Sequence, residues 1–153
     1  MTSIPTELAA LFEALGPQTD AIDMVLVDDE NEVWTVVLDD EVVVLFEWNE
    51  ELERLVVMSR LGRPAEHAMI KVYQAALAYN ASWHLHGGAR VGMVDTDGEL
   101  AMMIDLPTQG LALEQLQRAL LGMRTVAIAW TRILADPADS AAVAALPAGM
   151  LLA

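Results

Sequence analysis

The stretch from Gly62 to Leu106 constrains the fold more than any other, because its hydrophobic period changes from helical to extended at Gly87-Gly88. Ahead of the glycines, Met69, Val72, Ala76, Tyr79 and Trp83 recur at alternating three and four spacing and share one stripe of a helix that follows Pro64. Ile70, Tyr73 and Leu77 form a second stripe, about 100° around from the first. A helix apolar over so wide an arc packs against two things at once: its own sheet and, as one candidate, a second copy of the chain. Beyond the glycines, Val91 to Val94 and Leu100 to Leu106 are apolar runs around Asp95-Thr96-Asp97-Gly98, which reads as a hairpin with glycine supplying positive φ. The same DTDGE could open a calcium loop. Its twelfth position, counted from Asp95, is Leu106 where a bidentate acid is needed, so the turn is the better reading.

What precedes this stretch is a short helix and a meander. Ser3-Ile4-Pro5-Thr6-Glu7 reads as a helix start, Leu8, Leu11, Phe12 and Leu15 as its stripe, and Gly16-Pro17 as its stop. Three β-branched and aromatic runs follow, Val33 to Leu38, Val42 to Trp48 and Leu52 to Ser59, joined by connections too short for crossovers and therefore antiparallel. Ile22 to Val27 is a further short run that allows an extra strand. The middle strand is apolar on both faces, which predicts cover on both. The acid clusters between strands read as solvated turn tips, since turns favour Asp and Asn on local grounds. After Pro107-Thr108-Gln109-Gly110, Leu113, Leu116, Leu120, Met123, Ala127, Trp130 and Leu134 form one seam of a last long helix that Asp136-Pro137 ends. That seam packs on the sheet or, in a sharper reading, pairs with another chain as a coiled coil. The expected fold class is α+β in the order α-β-β-β-α-β-β-α, a twisted antiparallel sheet packed with helices. One domain over 1–136 is expected, with an Ala-rich flexible tail over 137–153 in which Met150, Leu151 and Leu152 are the docking candidates.

Composition limits the function classes. The chain has 153 residues, enough for one domain with a core. Its net charge of −15 and pI near 4.2 argue against nucleic acid or an anionic membrane as partner. It lacks cysteine, so no disulfide or thiolate site is available. No apolar run reaches the roughly 18 residues a membrane span needs, and MTSIPTELAA does not read as a secretory signal, so a cytoplasmic protein is expected. Yet 55% of residues are hydrophobic and mean hydropathy is +0.38, more apolar surface than so small a domain buries alone. The excess belongs at an oligomer interface or a binding groove. His84-Leu85-His86 is a paired-imidazole feature without a third ligand. No Ser-His-Asp order, phosphate loop or dinucleotide glycine pattern is present, so neither catalysis, cofactor nor metal has positive support.

The order helix, meander, helix, hairpin, long helix resembles the class I type III secretion chaperones, the Tir-chaperone-like family of small acidic bacterial proteins. The resemblance spans about Thr6 to Leu134. It rests on LAALFEALG (Leu8 to Gly16), VWTVVLDDEVVVLF (Val33 to Phe46), LVVMSRLG (Leu55 to Gly62) and QAALAYNASW (Gln74 to Trp83), where Leu77, Ala78 and Asn80 match a leucine-alanine-asparagine pattern. ARVGMVDTDGELAMMIDLP and LEQLQRALLGMRTVAIAWTRIL resemble the family's hairpin and last helix. The resemblance implies a bacterial cytoplasmic homodimer that holds the N-terminal region of a secreted effector extended before export, without nucleotide or catalysis. It adds the secretion ATPase as a candidate partner. On this basis the client surface is expected at Leu8, Leu11, Phe12, Leu15, Val36, Val43 and Leu45. The dimer surface is expected at Met69, Val72, Tyr79, Trp83, Val91, Met93 and Met102. A regulatory module of the same fold that binds a folded partner, and an enzyme with metal at the acidic turns or the histidine pair, are the competing readings.

Overall fold

The computed structural model describes residues 4–39 and 41–139. Helix α1 (Thr6–Leu15) leads into four consecutive strands, β1 (Ile22–Asp28), β2 (Val33–Leu38), β3 (Val43–Asn49) and β4 (Arg54–Gly62). Helix α2 (Met69–Ala81), the hairpin of β5 (Arg90–Met93) and β6 (Leu100–Pro107), and helix α3 (Leu113–Ala135) complete the chain. All six strands form one antiparallel sheet in the order β1-β2-β3-β4-β6-β5. The run at Ile22, left open by the sequence, is therefore a full edge strand, and the meander has four strands. Ser3 of the expected helix start and the segment after Asp139, including Met150 to Leu152, lie outside the described residues.

Directly opposed residues share a face, so the register sorts the sheet. Trp34 opposes Phe46, Phe46 opposes Val57 and Val57 opposes Ile104; in the next row Trp48 opposes Leu55 and Leu55 opposes Leu106. All of these are buried, and the helices supply the other half of the core. Phe12 of α1 stacks on Trp34 with centroids 4.2 Å apart and meets Phe46 edge-on at 5.1 Å. Leu116, Leu120, Met123, Ala127, Trp130 and Leu134 of α3 are all buried, so the predicted seam is used inside the chain and leaves no stripe for a coiled coil.

Among the described residues no helix lies over the opposite face, except where α3 meets the start of β3. Val43, Leu45 and Glu47 of β3 alternate with the buried Val44, Phe46 and Trp48, and Val43 is 41% exposed. Among the described residues the cover expected on both faces of β3 is supplied on one face only, by the helices. The open face grades along the sheet. At β4, β6 and β5 it is mixed, where Arg54 and Arg90 hold Asp105 at 2.9 and 3.2 Å beside Val56, Met58 and Met103. At β1 to β3 it is apolar.

Helix α2 is shorter than its periodicity suggests. Glu66–Ala68 and Trp83–Leu85 are 3-10 turns at its two ends. At the C-terminal end the Ser82 amide donates to the Tyr79 carbonyl at 3.0 Å, which tightens the last turn before Gly87 and Gly88, at φ 61° and 84°, reverse the chain. In the hairpin, the Asp95 carboxylate accepts from the amides of Asp97 (2.9 Å) and Glu99 (3.2 Å), so it is engaged in closing the turn.

Candidate functional site

The two sheet edges are treated differently. Beside β5, Asn80 at the end of α2 donates through Nδ2 to the Val91 carbonyl at 2.8 Å, and its Oδ1 accepts from the Val91 amide at 2.9 Å. A side-chain amide thus takes the place of a neighbouring strand and closes that edge. At the other end, among the described residues, β1 pairs with β2 alone and offers its outer edge to solvent, with Met24, Leu26 and Val27 exposed at 45%, 51% and 54%. An open edge with apolar side chains is a template for an added strand. Of the leucine-alanine-asparagine pattern, Asn80 has a clear physical role, and Leu77 points outward at 70% exposure.

Two grooves flank the meander. The first, about 610 Å³, lies between α1 and β1, with Phe12, Trp34, Met24, Val25 and Val27 in its walls. The second, about 760 Å³, lies between the start of β3 and the second half of α3. It opens because the β3–β4 ladder stops at Leu45 and Met58. Beyond that point the Ser59 hydroxyl donates to the Val43 carbonyl at 3.0 Å in place of a ladder bond.

The expected client residues fall into three groups. Leu8, Leu15 and Val36 are enclosed in the core, at 3%, 0% and 0% exposure, and Leu11 is half-buried against it. Phe12 is buried but forms part of the first groove, and Val43 and Leu45 line the second. Burial decides this division: a stripe read from spacing contains the residues that face the sheet, whereas a client meets what those residues leave uncovered. Met24, Leu26 and Val27 were legible only as a β-branched and aliphatic run.

The expected dimer residues divide in the same way. Val72, Tyr79, Val91 and Met102 are buried within the chain and Met69 is half-buried, while Trp83 and Met93 are exposed at 61% and 53%. Tyr79 packs edge-on to Trp130 at 5.3 Å and stacks on His86 at 3.9 Å. Burial pushes its hydroxyl up to about 12. Burial, and then the neighbouring His84, hold His86 below the usual histidine range, so that imidazole is an uncharged packing element. The second stripe is the outward one: Ile70 is 74% and Leu77 70% exposed, with Leu85 beyond them at 57%.

Among the described residues no group of three His, Asp or Glu side chains is placed to hold a metal ion. The acid-rich β1–β2 turn is organised by itself: Asp28 accepts from the Asn31 side chain at 2.8 Å and from the Asn31 and Glu30 amides at 3.2 Å, which lowers its pKa. No described helix is long and apolar enough to cross a membrane.

No curated protein matches the sequence. Among solved structures, the fold is similar to that in the ExsC–ExsE complex, with a TM-score of 0.67 and 20% identity over 84% of this chain and 96% of that one. It is also similar to the HopA1–SchA chaperone–effector complex, with a TM-score of 0.62 and 18% identity over 84% of this chain and 99% of that one. A third likeness is to the heterodimeric ExoU–SpcU complex from the type III secretion system of Pseudomonas aeruginosa, with a TM-score of 0.50 and 16% identity over 80% and 89% of the two chains. The model of the Tir chaperone protein (CesT) family matches residues 14–131, which run from α1 through the edge strand, the meander, α2 and the hairpin into α3. With that match over most of its length, and with the helix–sheet order now seen directly, the chain belongs to the Tir chaperone protein (CesT) family.

Proposed function

We infer that the protein is a type III secretion chaperone: it binds the N-terminal region of one or more effectors and keeps that region extended and competent for export. The open β1 edge beside the apolar α1–β1 groove carries this reading. Main-chain groups of β1 bind an extended segment with little demand on its sequence, and the groove takes the apolar side chains that alternate along it. Family membership gives the partner its class, and the solved chaperone–effector complex of the same fold supports it. The protein acts by binding and not by catalysis.

The rest of the reading is a bacterial cytoplasmic homodimer, joined through the outward side of α2 and its neighbours Trp83, Leu85 and Met93, with the secretion ATPase as a later contact. Closed pairs are the commonest soluble assembly, and Ile70 and Leu77 are exposed among the described residues. The deciding experiment is co-expression with effectors encoded beside it, followed by limited proteolysis of the complex. The expected result is one protected N-terminal effector segment that gains no helix on binding. A client bound only as an intact folded domain would favour the regulatory module.

A further inference from the structure

We propose that the groove between β3 and α3 is a second client subsite, selective for aliphatic side chains next to an acidic residue, and that Arg132 reads the acid. This rests on the effector-binding reading and adds a charge preference to it. The floor is apolar, formed by Val43, Leu45, Ala127 and Ile128. Thr131 donates its hydroxyl back to the Ala127 carbonyl at 2.9 Å, so that polar group is satisfied within the helix.

The rim carries arginine side chains in a chain that is otherwise strongly acidic. Three of the eight Lys and Arg residues, Arg60, Arg124 and Arg132, lie at or beside this groove. Arg60 is held by Glu99 at 2.9 Å and Arg124 by Asp39 at 2.9 Å. Arg132 is exposed and makes no ion pair among the described residues, although Glu41 also stands on the rim. Against a net charge of −15, an acidic client residue is repelled by most of the surface. It is accepted where an unpaired guanidinium stands over an apolar floor, a geometry suited to a carboxylate. Such a site sets the register of an extended client, which main-chain pairing along β1 leaves loosely defined.

The test uses the full chain with labelled Ile, Leu and Val methyls and two blocked synthetic peptides of alternating Leu and Ser. One peptide carries a central Asp and the other a central Lys. We expect the Asp peptide to shift the methyls of Val43, Leu45 and Ile128, the Lys peptide to bind there about fivefold more weakly or worse, and Arg132→Glu to reverse the preference. Equal shifts from both peptides, or shifts confined to Val25 and Val27 of the first groove, overturn the proposal and leave effector binding through that groove standing. Silence of both grooves towards both peptides refutes the effector-binding reading as well. Shifts at Val43 and Ile128 that grow with protein concentration alone would show a second copy in the groove, and the client assignment would fall.

Discussion

Replacing Asn80 with Ala removes two hydrogen bonds, at 2.8 and 2.9 Å, that join α2 to the edge of β5. Each is worth about 1 kcal/mol net. Alanine returns about 0.6 kcal/mol through its better helix propensity. The expected loss is therefore about 1.5 kcal/mol, rising towards about 3 kcal/mol if water cannot reach the freed Val91 groups. With a urea dependence of about 2 kcal/mol per molar, the unfolding midpoint should fall by roughly 0.7 M with an unchanged slope. Hydrogen exchange gives the local readout: the Val91 amide should exchange at least about tenfold faster, since 1.4 kcal/mol is a factor of ten. The uncovered edge should also bring concentration-dependent association beyond the parent's own assembly. Asn80→Asp keeps the acceptor but sets a carboxylate against the Val91 carbonyl, so it should be no better than Ala at neutral pH. An Asn80→Ala protein within about 0.5 kcal/mol of the parent, with Val91 still protected, would refute the view that this side chain closes the edge.

Four further outcomes are expected. Met24→Asp and Leu26→Asp, on the exposed edge, should leave thermal stability within about 0.5 kcal/mol of the parent and abolish client co-purification; Phe12→Ala should instead cost about 3–5 kcal/mol through the stacked Trp34 and Phe46 contacts and so cannot test binding cleanly. Leu77→Glu or Trp83→Glu should give a folded monomer at micromolar concentration by light scattering, and an intact dimer would place the interface elsewhere. Because the folded-state pKa of His86 is lowered, its neutral form stabilises the fold fully above the ordinary histidine range, and that contribution is lost as pH falls below about 6.5; the melting temperature should drop between pH 7.5 and 5.5, and less so in His86→Phe. Gly98→Ala sets a Cβ 2.7 Å from the Tyr73 hydroxyl at φ +88°, costing at least about 1–2 kcal/mol, and Tyr73→Phe should recover part of that loss but not the backbone share.

Much of this protein is determined locally. Element type follows from period, so the switch at Gly87-Gly88, the hairpin at Asp95 to Gly98 and the α3 seam were all legible in the chain itself. The excess of apolar residues over what one small domain can bury was legible too, and with it a protein that binds others. Periodicity marks which residues share a stripe, but not which of two stripes faces inward. Only the packed structure decided that Tyr79 belongs to the core against Trp130 while Leu77 faces out, and that Leu8 and Val36 are enclosed while Met24 and Leu26 are not. The same holds for β3, whose outward Val43 and Leu45 look in sequence like a second buried face. Ile22–Asp28 became a strand because the outer edge of β2 was available to pair with it. Which edge is then closed depends on Asn80 and Val91, eleven residues apart, meeting across the Gly-Gly turn. Exposure and edge closure are properties of how many elements compete for one sheet, and helices on one face leave the other open because the described residues supply no third layer to cover it.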